Sequence, residues 1–288
     1  MTAIRHRTID VDGVEVFYRE SGTPGRPPLL LLHGFPSSSH MYRHLLDELG
    51  DELHCVAPDL PGFGLTASPA DFTYTFDRLA EVTDAFTRAV GLDRFALYVF
   101  DFGAPVGMRL AAAEPDRVES LIVQNGNVYE EGLSAGFEPL YAYWRDRAAH
   151  EDTVRGILTI DSTRLQYTEG VRDPALLAPE AWTLDQHFLE LPGRTAAMLD
   201  LLFDYRTNVE RYPEWQAYLR EHRPPTLVVW GRNDPYFTPA GAEAFARDVP
   251  DAEIRLLDTG HFALEDHGAV IASEIRSFLR PRVSAGRT

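Results

Sequence analysis

Asp101 stands where a carboxylate can do chemistry. Leu97-Tyr98-Val99-Phe100 has strand composition, a turn with Gly103 follows, and Met108-Arg109-Leu110-Ala111-Ala112-Ala113 reads as a helix. A strand, a sharp turn and a helix meeting at one residue push that side chain out of the backbone. A carboxylate there attacks carbon directly and forms an alkyl ester with the enzyme, needing no base to activate it. The competing reading is structural, because Asp is a common helix N-cap. His33-Gly34-Phe35-Pro36 follows the apolar run Leu29-Leu30-Leu31-Leu32. The N–H of Phe35 would point inward to hold a negative oxygen, although a loop with Gly and Pro also makes an ordinary turn. Asp234, in Gly231-Arg232-Asn233-Asp234-Pro235, ends the run Thr226-Leu227-Val228-Val229-Trp230, at the strand end where catalytic groups collect in open α/β sheets. His261 follows Gly260 and the run Ile254-Arg255-Leu256-Leu257; it is one of ten histidines, and a lone His after a strand is more often incidental.

These residues require strands that end on one side of a sheet. The chain has 288 residues, 44% of them hydrophobic, with 16 Phe and 12 Tyr, enough for one large α/β domain or a domain carrying an insertion. Residues 7–19 read as a hairpin around Asp12-Gly13. The runs at 29–32, 55–59, 97–100, 121–123, 226–230 and 254–257 read as strands, several of them apolar throughout, as in a parallel sheet buried on both faces. Helices are expected over 40–49 and 72–89. From Val128 to Trp215 the pattern turns helical and aromatic, with Met198, Leu201, Leu202, Tyr205 and Val209 on one face of a single helix. By pattern alone, Tyr205 is a packed core tyrosine whose phenol needs a partner. The net charge of −17 argues against nucleic acid and anionic membranes as partners. Cys55 is the only cysteine, which excludes an internal disulfide and a cysteine-rich metal site. Met1 to Asp10 has no signal-peptide core and no later run approaches a membrane span, so a soluble, cytoplasmic protein is expected.

The order strand, His33-Gly34-Phe35-Pro36, strand, Asp59-Leu60-Pro61-Gly62-Phe63-Gly64, helix, strand and Asp101 turn resembles the α/β-hydrolase fold, in its epoxide hydrolase and haloalkane dehalogenase branch, over nearly the whole chain. The resemblance implies a mainly parallel central sheet flanked by helices, formed by residues 1–127 and 218–288. A helical cap at 128–217 would close over the site. It also implies the chain order nucleophile Asp101, acid Asp234, base His261. The backbone N–H groups of Phe35 and Phe102 would hold the oxyanion. Val99 occupies the first small position of the nucleophile elbow, where the family carries Gly. No G-x-S-x-G is read as a nucleophile motif, which disfavours an esterase or lipase with a serine nucleophile. Tyr205-Arg206-Thr207-Asn208 is similar to the W-Y-R-N type segment of epoxide hydrolases, whose tyrosine donates a proton to the opening epoxide. The family's second phenol lies early in the cap, where this chain offers Tyr141, which is favoured, or Tyr143.

The function so implied is epoxide hydrolysis on a small apolar or aromatic substrate, with Trp144 and Trp182 in the pocket and neither cofactor nor metal. The alternative is a haloalkane dehalogenase with the same nucleophile and base. Family dehalogenases hold the halide with a Trp after the nucleophile and an Asn in the His-Gly loop, positions taken here by Phe102 and Phe35. The fluoroacetate-type enzymes place Arg after the nucleophile. Trp144, Trp182 or Trp215 would then have to serve from the cap. A non-catalytic binding module of the same fold is a third reading, against which the set Asp101, Asp234 and His261 speaks.

Overall fold

A computed structural model describes residues 3–285 of the chain. Strands β1 (Arg5–Val11) and β2 (Val14–Ser21) form a hairpin whose two turn residues, Asp12 and Gly13, both have positive φ, as a tight two-residue turn requires. The chain continues through β3 (Pro28–Leu32), α1 (Arg43–Leu49), β4 (His54–Pro58), α2 (Phe76–Ala89), β5 (Phe95–Phe100), α3 (Gly103–Ala113) and β6 (Val118–Gln124). A helical block follows: α4 (Glu138–Arg145), α5 (Arg147–Arg155), α6 (Ile160–Thr168), α7 (Glu180–Leu189), α8 (Arg194–Asp204) and α9 (Arg206–His222). Then come β7 (Thr226–Gly231), α10 (Pro239–Asp248), β8 (Glu253–Leu257) and α11 (Leu264–Ala285). The strands make one sheet in the order β1-β2-β4-β3-β5-β6-β7-β8. The first hairpin and the β2–β4 pair are antiparallel, and every later pair is parallel.

The uninterrupted apolar runs follow from this sandwich. Successive strand residues point to opposite faces, so a strand covered on both sides needs apolar residues throughout. Leu30, Leu32, Leu97, Val99, Leu121, Val123, Val228 and Trp230 face one core with Phe86 of α2, Val106 of α3 and Phe245 of α10. Leu29, Leu31, Ala96, Tyr98, Phe100, Ile122, Leu227 and Val229 face the other with Leu46 of α1 and Ile275 of α11.

Three boundaries differ from expectation. α2 begins at Phe76 and not Phe72, because the Thr75 hydroxyl caps it by accepting from the Arg78 N–H at 3.1 Å. α9 runs to His222, past residue 217, and stops where Arg223 turns to positive φ. Tyr205 does not sit within one helix but at the joint between α8 and α9. No helix among the described residues is long and apolar enough to cross a membrane.

One contact ties the helical block to the core. Tyr167 of α6 stacks face to face on Phe262, the residue after His261, with ring centroids 3.8 Å apart, and its hydroxyl donates to Asp185 of α7. Burial pushes the Asp185 carboxyl up to about 7, outweighing the hydrogen bonds from Tyr167 and Ser37 that favour its charge. An acid with a raised folded-state pKa stabilises the fold while protonated. That contribution is complete below the unfolded value near 4 and disappears as pH rises through about 7. Chemical denaturation of the parent is therefore expected to lose on the order of 2–4 kcal/mol between pH 4 and 8 from this group. Asp185→Asn should flatten the profile over that window, and an unchanged profile would remove Asp185 as its source.

Candidate active site

The sharp turn after β5 forces Asp101 into the left-handed region, φ 45°, a conformation that costs a non-glycine residue about 1–3 kcal/mol. The strand ends hold it there: the Asp101 N–H donates to the Asn125 carbonyl at 3.3 Å, and the Asp101 carbonyl accepts from the Ala104 N–H at 2.9 Å. Side chains at the two neighbouring glycines would block this geometry, since a Cβ on Gly34 would strike the Asp101 carboxylate and one on Gly103 the Leu32 carbonyl. Val99 is compatible with the tight turn because Gly107, one turn into α3, leaves it room. α3 begins at Gly103 with no side-chain cap, so the capping role considered for Asp101 is not the one it plays.

Its carboxylate is instead cradled from below. The Phe35 N–H donates to Oδ1 at 2.5 Å, and the Phe102 N–H also bonds the carboxylate. Oδ2 lies 4.0 Å from His261 Nε2, beyond hydrogen-bond range. Burial pushes Asp101 up to about 6 against the pull of His261 and the two N–H donors, so the group is ionised at neutral pH.

On the far side of the imidazole, His261 Nδ1 meets Asp234 Oδ2 at 2.7 Å. Burial opposes the imidazolium, but the carboxylates of Asp234 and Asp101 outweigh it and raise the ring above its ordinary value. Asp234 is saturated: Oδ2 also accepts from Asn125 Nδ2 at 2.7 Å, and Oδ1 accepts from the N–H groups of Tyr236 at 2.7 Å and Phe237 at 3.2 Å. A carboxylate held on both oxygens fixes the Nδ1–H tautomer and leaves Nε2 as the basic atom. Gln124 Nε2 donates to the His261 carbonyl at 3.3 Å and steadies that loop.

Asn125 escaped the sequence reading. Besides its bond to Asp234, its Oδ1 accepts from the Gly231 N–H at 2.9 Å, so one residue joins the ends of β5 and β7 and orients the acid. Its signal was the Asn125-Gly126 pair after a buried strand, a turn dipeptide that tolerates the observed φ of 40°.

Above Asp101 lies a cavity of about 60 Å³ lined by Phe35, Phe102, Phe137, Leu140, Ile157, Gln166, Leu202, Tyr236 and Phe237, together with Gly136, Asp101 and His261. Gln166 and Tyr236 were not singled out from sequence; the Tyr236 ring stands edge-on to His261 at 5.5 Å. Neither Trp144 nor Trp182 lines this cavity, which corrects their assignment to the pocket. Trp144 spends its indole N–H on the Leu202 carbonyl at 2.8 Å and stacks on Tyr205, and Trp182 packs against Tyr167 in the opposite core. Trp215 is buried beside the Arg109 guanidinium.

The cap tyrosines separate. The Tyr143 hydroxyl donates to the Leu199 carbonyl at 3.2 Å and is buried against Phe203, away from the cavity, so it is set aside as a catalytic candidate. Tyr205 packs one layer behind the cavity wall, its ring 5.6 Å from that of Phe102 and 5.5 Å from that of Phe137. Burial first, then the charges of Tyr212 and Asp101, hold its phenol well above the ordinary value, so it stays protonated. Its hydroxyl bonds that of Tyr212, which accepts from Asn127 Nδ2 at 3.3 Å. Tyr141 is half-buried within electrostatic reach of both Tyr205 and Tyr212.

A serine pentapeptide of G-x-S-x-G form does occur, Gly132-Leu133-Ser134-Ala135-Gly136, but in the loop after β6 and not at a strand-to-helix turn. Ser134 Oγ donates to the Pro235 carbonyl at 2.5 Å and accepts from the Gly136 N–H at 3.0 Å, with no histidine among these partners. It caps a turn.

Comparison with known proteins agrees with this architecture. A hydrolase of Saccharomyces cerevisiae named only as uncharacterized, YNR064C, is 43% identical over 277 residues, covering 94% of this chain and 96% of its own. Haloalkane dehalogenase 2 of Mycobacterium tuberculosis is 39% identical over 119 residues, 41% of each chain. The solved structure of the epoxide hydrolase CorEH superimposes with a TM-score of 0.80 at 18% identity, covering 97% of this chain and 99% of that one, which is a likeness of fold. Residues 27–268 match the family model for the alpha/beta hydrolase fold, and the chain belongs to that family of hydrolases.

Proposed function

We propose that the protein hydrolyses epoxides to vicinal diols through an alkyl ester on Asp101. The observation that carries this reading is the setting of one carboxylate: Asp101 accepts from the Phe35 N–H on Oδ1, lines an apolar cavity, and has its Oδ2 4.0 Å from His261 Nε2. Oδ2 attacks an epoxide carbon, the C–O bond on its far side breaks, and the oxygen stays on the substrate as it takes a proton. Water then enters beside His261, which removes its proton as it attacks the ester carbonyl. The negative charge that forms on Oδ1 meets the Phe35 N–H already in contact with it, with the Phe102 N–H on the same carboxylate. The adduct then collapses as the bond from its carbon to the substrate oxygen breaks, and that oxygen leaves as a hydroxyl of the diol with the proton returned by His261.

An oxygen leaving group has phenols to protonate it, whereas among the side-chain N–H donors that line the cavity a halide finds only the Gln166 amide uncommitted. Phe102 and Phe35 offer only backbone N–H groups, already committed to Asp101, and the Trp144 indole is committed to Leu202. An alkoxide must be protonated, and a phenol that stays protonated suits that task. Tyr205 is our choice of acid, with Tyr141 as its partner, on condition that its hydroxyl exchanges Tyr212 for the leaving oxygen; Tyr236, the phenol that lines the cavity, is the competing candidate. The partial likeness to haloalkane dehalogenases keeps halide displacement as the second reading. Side-by-side turnover of epoxides, haloalkanes and activated esters tests the two.

Tyr205→Phe keeps the ring that packs on Phe102 and removes only the hydroxyl, so the fold should persist while epoxide alkylation slows by roughly tenfold to several hundredfold in single-turnover kinetics. Tyr236→Phe is the control. If it carries the loss and Tyr205→Phe does not, the acid is Tyr236; if neither slows alkylation and halide is released at full rate, the dehalogenase reading prevails.

A further inference from the structure

Gln166 is a polar side chain with no evident reason to be where it is. It lies on α6, is only 3% exposed, and lines the cavity above Asp101, yet its Nε2 has no hydrogen-bond partner. A buried amide donor without a partner is costly, and its neighbours Phe137, Leu140, Ile157 and Phe237 would pack as well against leucine or methionine. An acceptor brought by the substrate would satisfy it.

The wall from which Gln166 projects indicates which acceptor. The end of α6 is fastened to the His261 side of the site: Tyr167 stacks on Phe262, and Asn233 Nδ2 donates to the Gly170 carbonyl at 2.9 Å. The phenols Tyr205 and Tyr141 belong to the Phe102 side, through α4 and the α8–α9 joint. With the leaving oxygen taken by a phenol, Gln166 is left for a different atom of the substrate. The site provides a neutral amide there, and the cavity lining contains no Arg or Lys, so that atom is an uncharged oxygen of a hydroxyl, ether or carbonyl.

We propose that Gln166 is a specificity determinant that reads one uncharged acceptor oxygen on the substrate, so that the preferred substrates are small oxygenated electrophiles rather than plain hydrocarbon ones. This rests on Asp101 acting as the alkylated nucleophile, but not on which leaving group departs.

The test compares two substrates that differ by one atom, glycidyl methyl ether and the epoxyalkane with a methylene in place of the ether oxygen, in the parent, Gln166→Met and Gln166→Leu enzymes. The parent should favour the ether in kcat/KM, and both variants should reduce that ratio by about tenfold to a hundredfold, whatever they do to the epoxyalkane rate itself. Equal slowing of both substrates would overturn the proposal and assign Gln166 to the water or the leaving oxygen. An unchanged preference would overturn it as well. Gln166→Leu gives a second apolar replacement of similar size should Gln166→Met fold poorly. If the enzyme opens no epoxide, the same one-atom comparison between a bromoalkane and its ether analogue reads Gln166 while the epoxide reading alone fails.

Discussion

His261→Gln, incubated with an epoxide that the parent enzyme turns over, is expected to gain the full mass of that epoxide on Asp101. Alkylation needs only the ionised carboxylate and an acid for the departing oxygen, and burial leaves Asp101 ionised above about pH 6. Ester hydrolysis needs Nε2 to take a proton from water, and glutamine cannot do so. Turnover should therefore fall by roughly 10²–10⁴-fold while the first step survives, and the ester accumulates. The increment also identifies the leaving group. Epoxide opening breaks a C–O bond within the substrate and retains every atom, whereas halide displacement loses the halide. Epibromohydrin and a plain bromoalkane separate the two: an adduct of epibromohydrin that keeps bromine, visible as its isotope doublet in intact-protein mass spectrometry, means that the epoxide was opened, and transfer of a plain bromoalkane's alkyl group to Asp101 without its bromine means displacement. Absence of any increment on the Asp101 peptide, with the parent active on the same compound, would reject Asp101 as the nucleophile.

The parts of the site that lie on strand ends were legible in the sequence, and those that depend on packing between distant segments were not. Asp101, Asp234 and His261 each follow an apolar run, and because the parallel strands β5, β7 and β8 end on the same side of the sheet, the residues after them meet. Asn125 follows β6 in the same way, but an Asn-Gly pair reads first as turn chemistry, and nothing local reveals that its amide reaches Asp234. The helical block was legible as helix and not as surface. Its aromatic residues repeat with a period that says which share a face, but the partner of that face is set by three-dimensional packing. Trp144 therefore reads as a pocket residue until the Leu202 carbonyl claims its indole N–H, and Gln166, which belongs to no motif, gains a role only when α6 is seen lying over the cavity. The pair Tyr141 and Tyr143 separates for the same reason, since only the fold shows that the Tyr143 hydroxyl meets Leu199.

Asp234→Asn is expected to be nearly as damaging to turnover as loss of the base, for a reason visible in the hydrogen bonds around it. Asp234 accepts on both oxygens, from His261 Nδ1 and Asn125 Nδ2 on Oδ2, and from the Tyr236 and Phe237 N–H groups on Oδ1. An asparagine amide replaces one acceptor by a donor, and either orientation is wrong. With its NH₂ toward the backbone it faces two N–H groups that cannot turn away. With its NH₂ toward His261 it drives the ring to the tautomer that accepts at Nδ1 and carries its proton on Nε2, where it cannot serve as base. It also confronts Asn125, whose Oδ1 is occupied by the Gly231 N–H. The loss of the carboxylate also lowers the imidazole from its raised value, because Asp234 is the main group favouring its charge. Turnover should drop by about 10³–10⁴-fold. Because alkylation does not pass through His261, rapid-quench measurement should show that step slowed far less, with the ester building to nearly one equivalent. Equal slowing of both steps would mean that Asp234 shapes the whole site rather than tuning the base, and unchanged turnover would mean that the acid serving His261 is another residue.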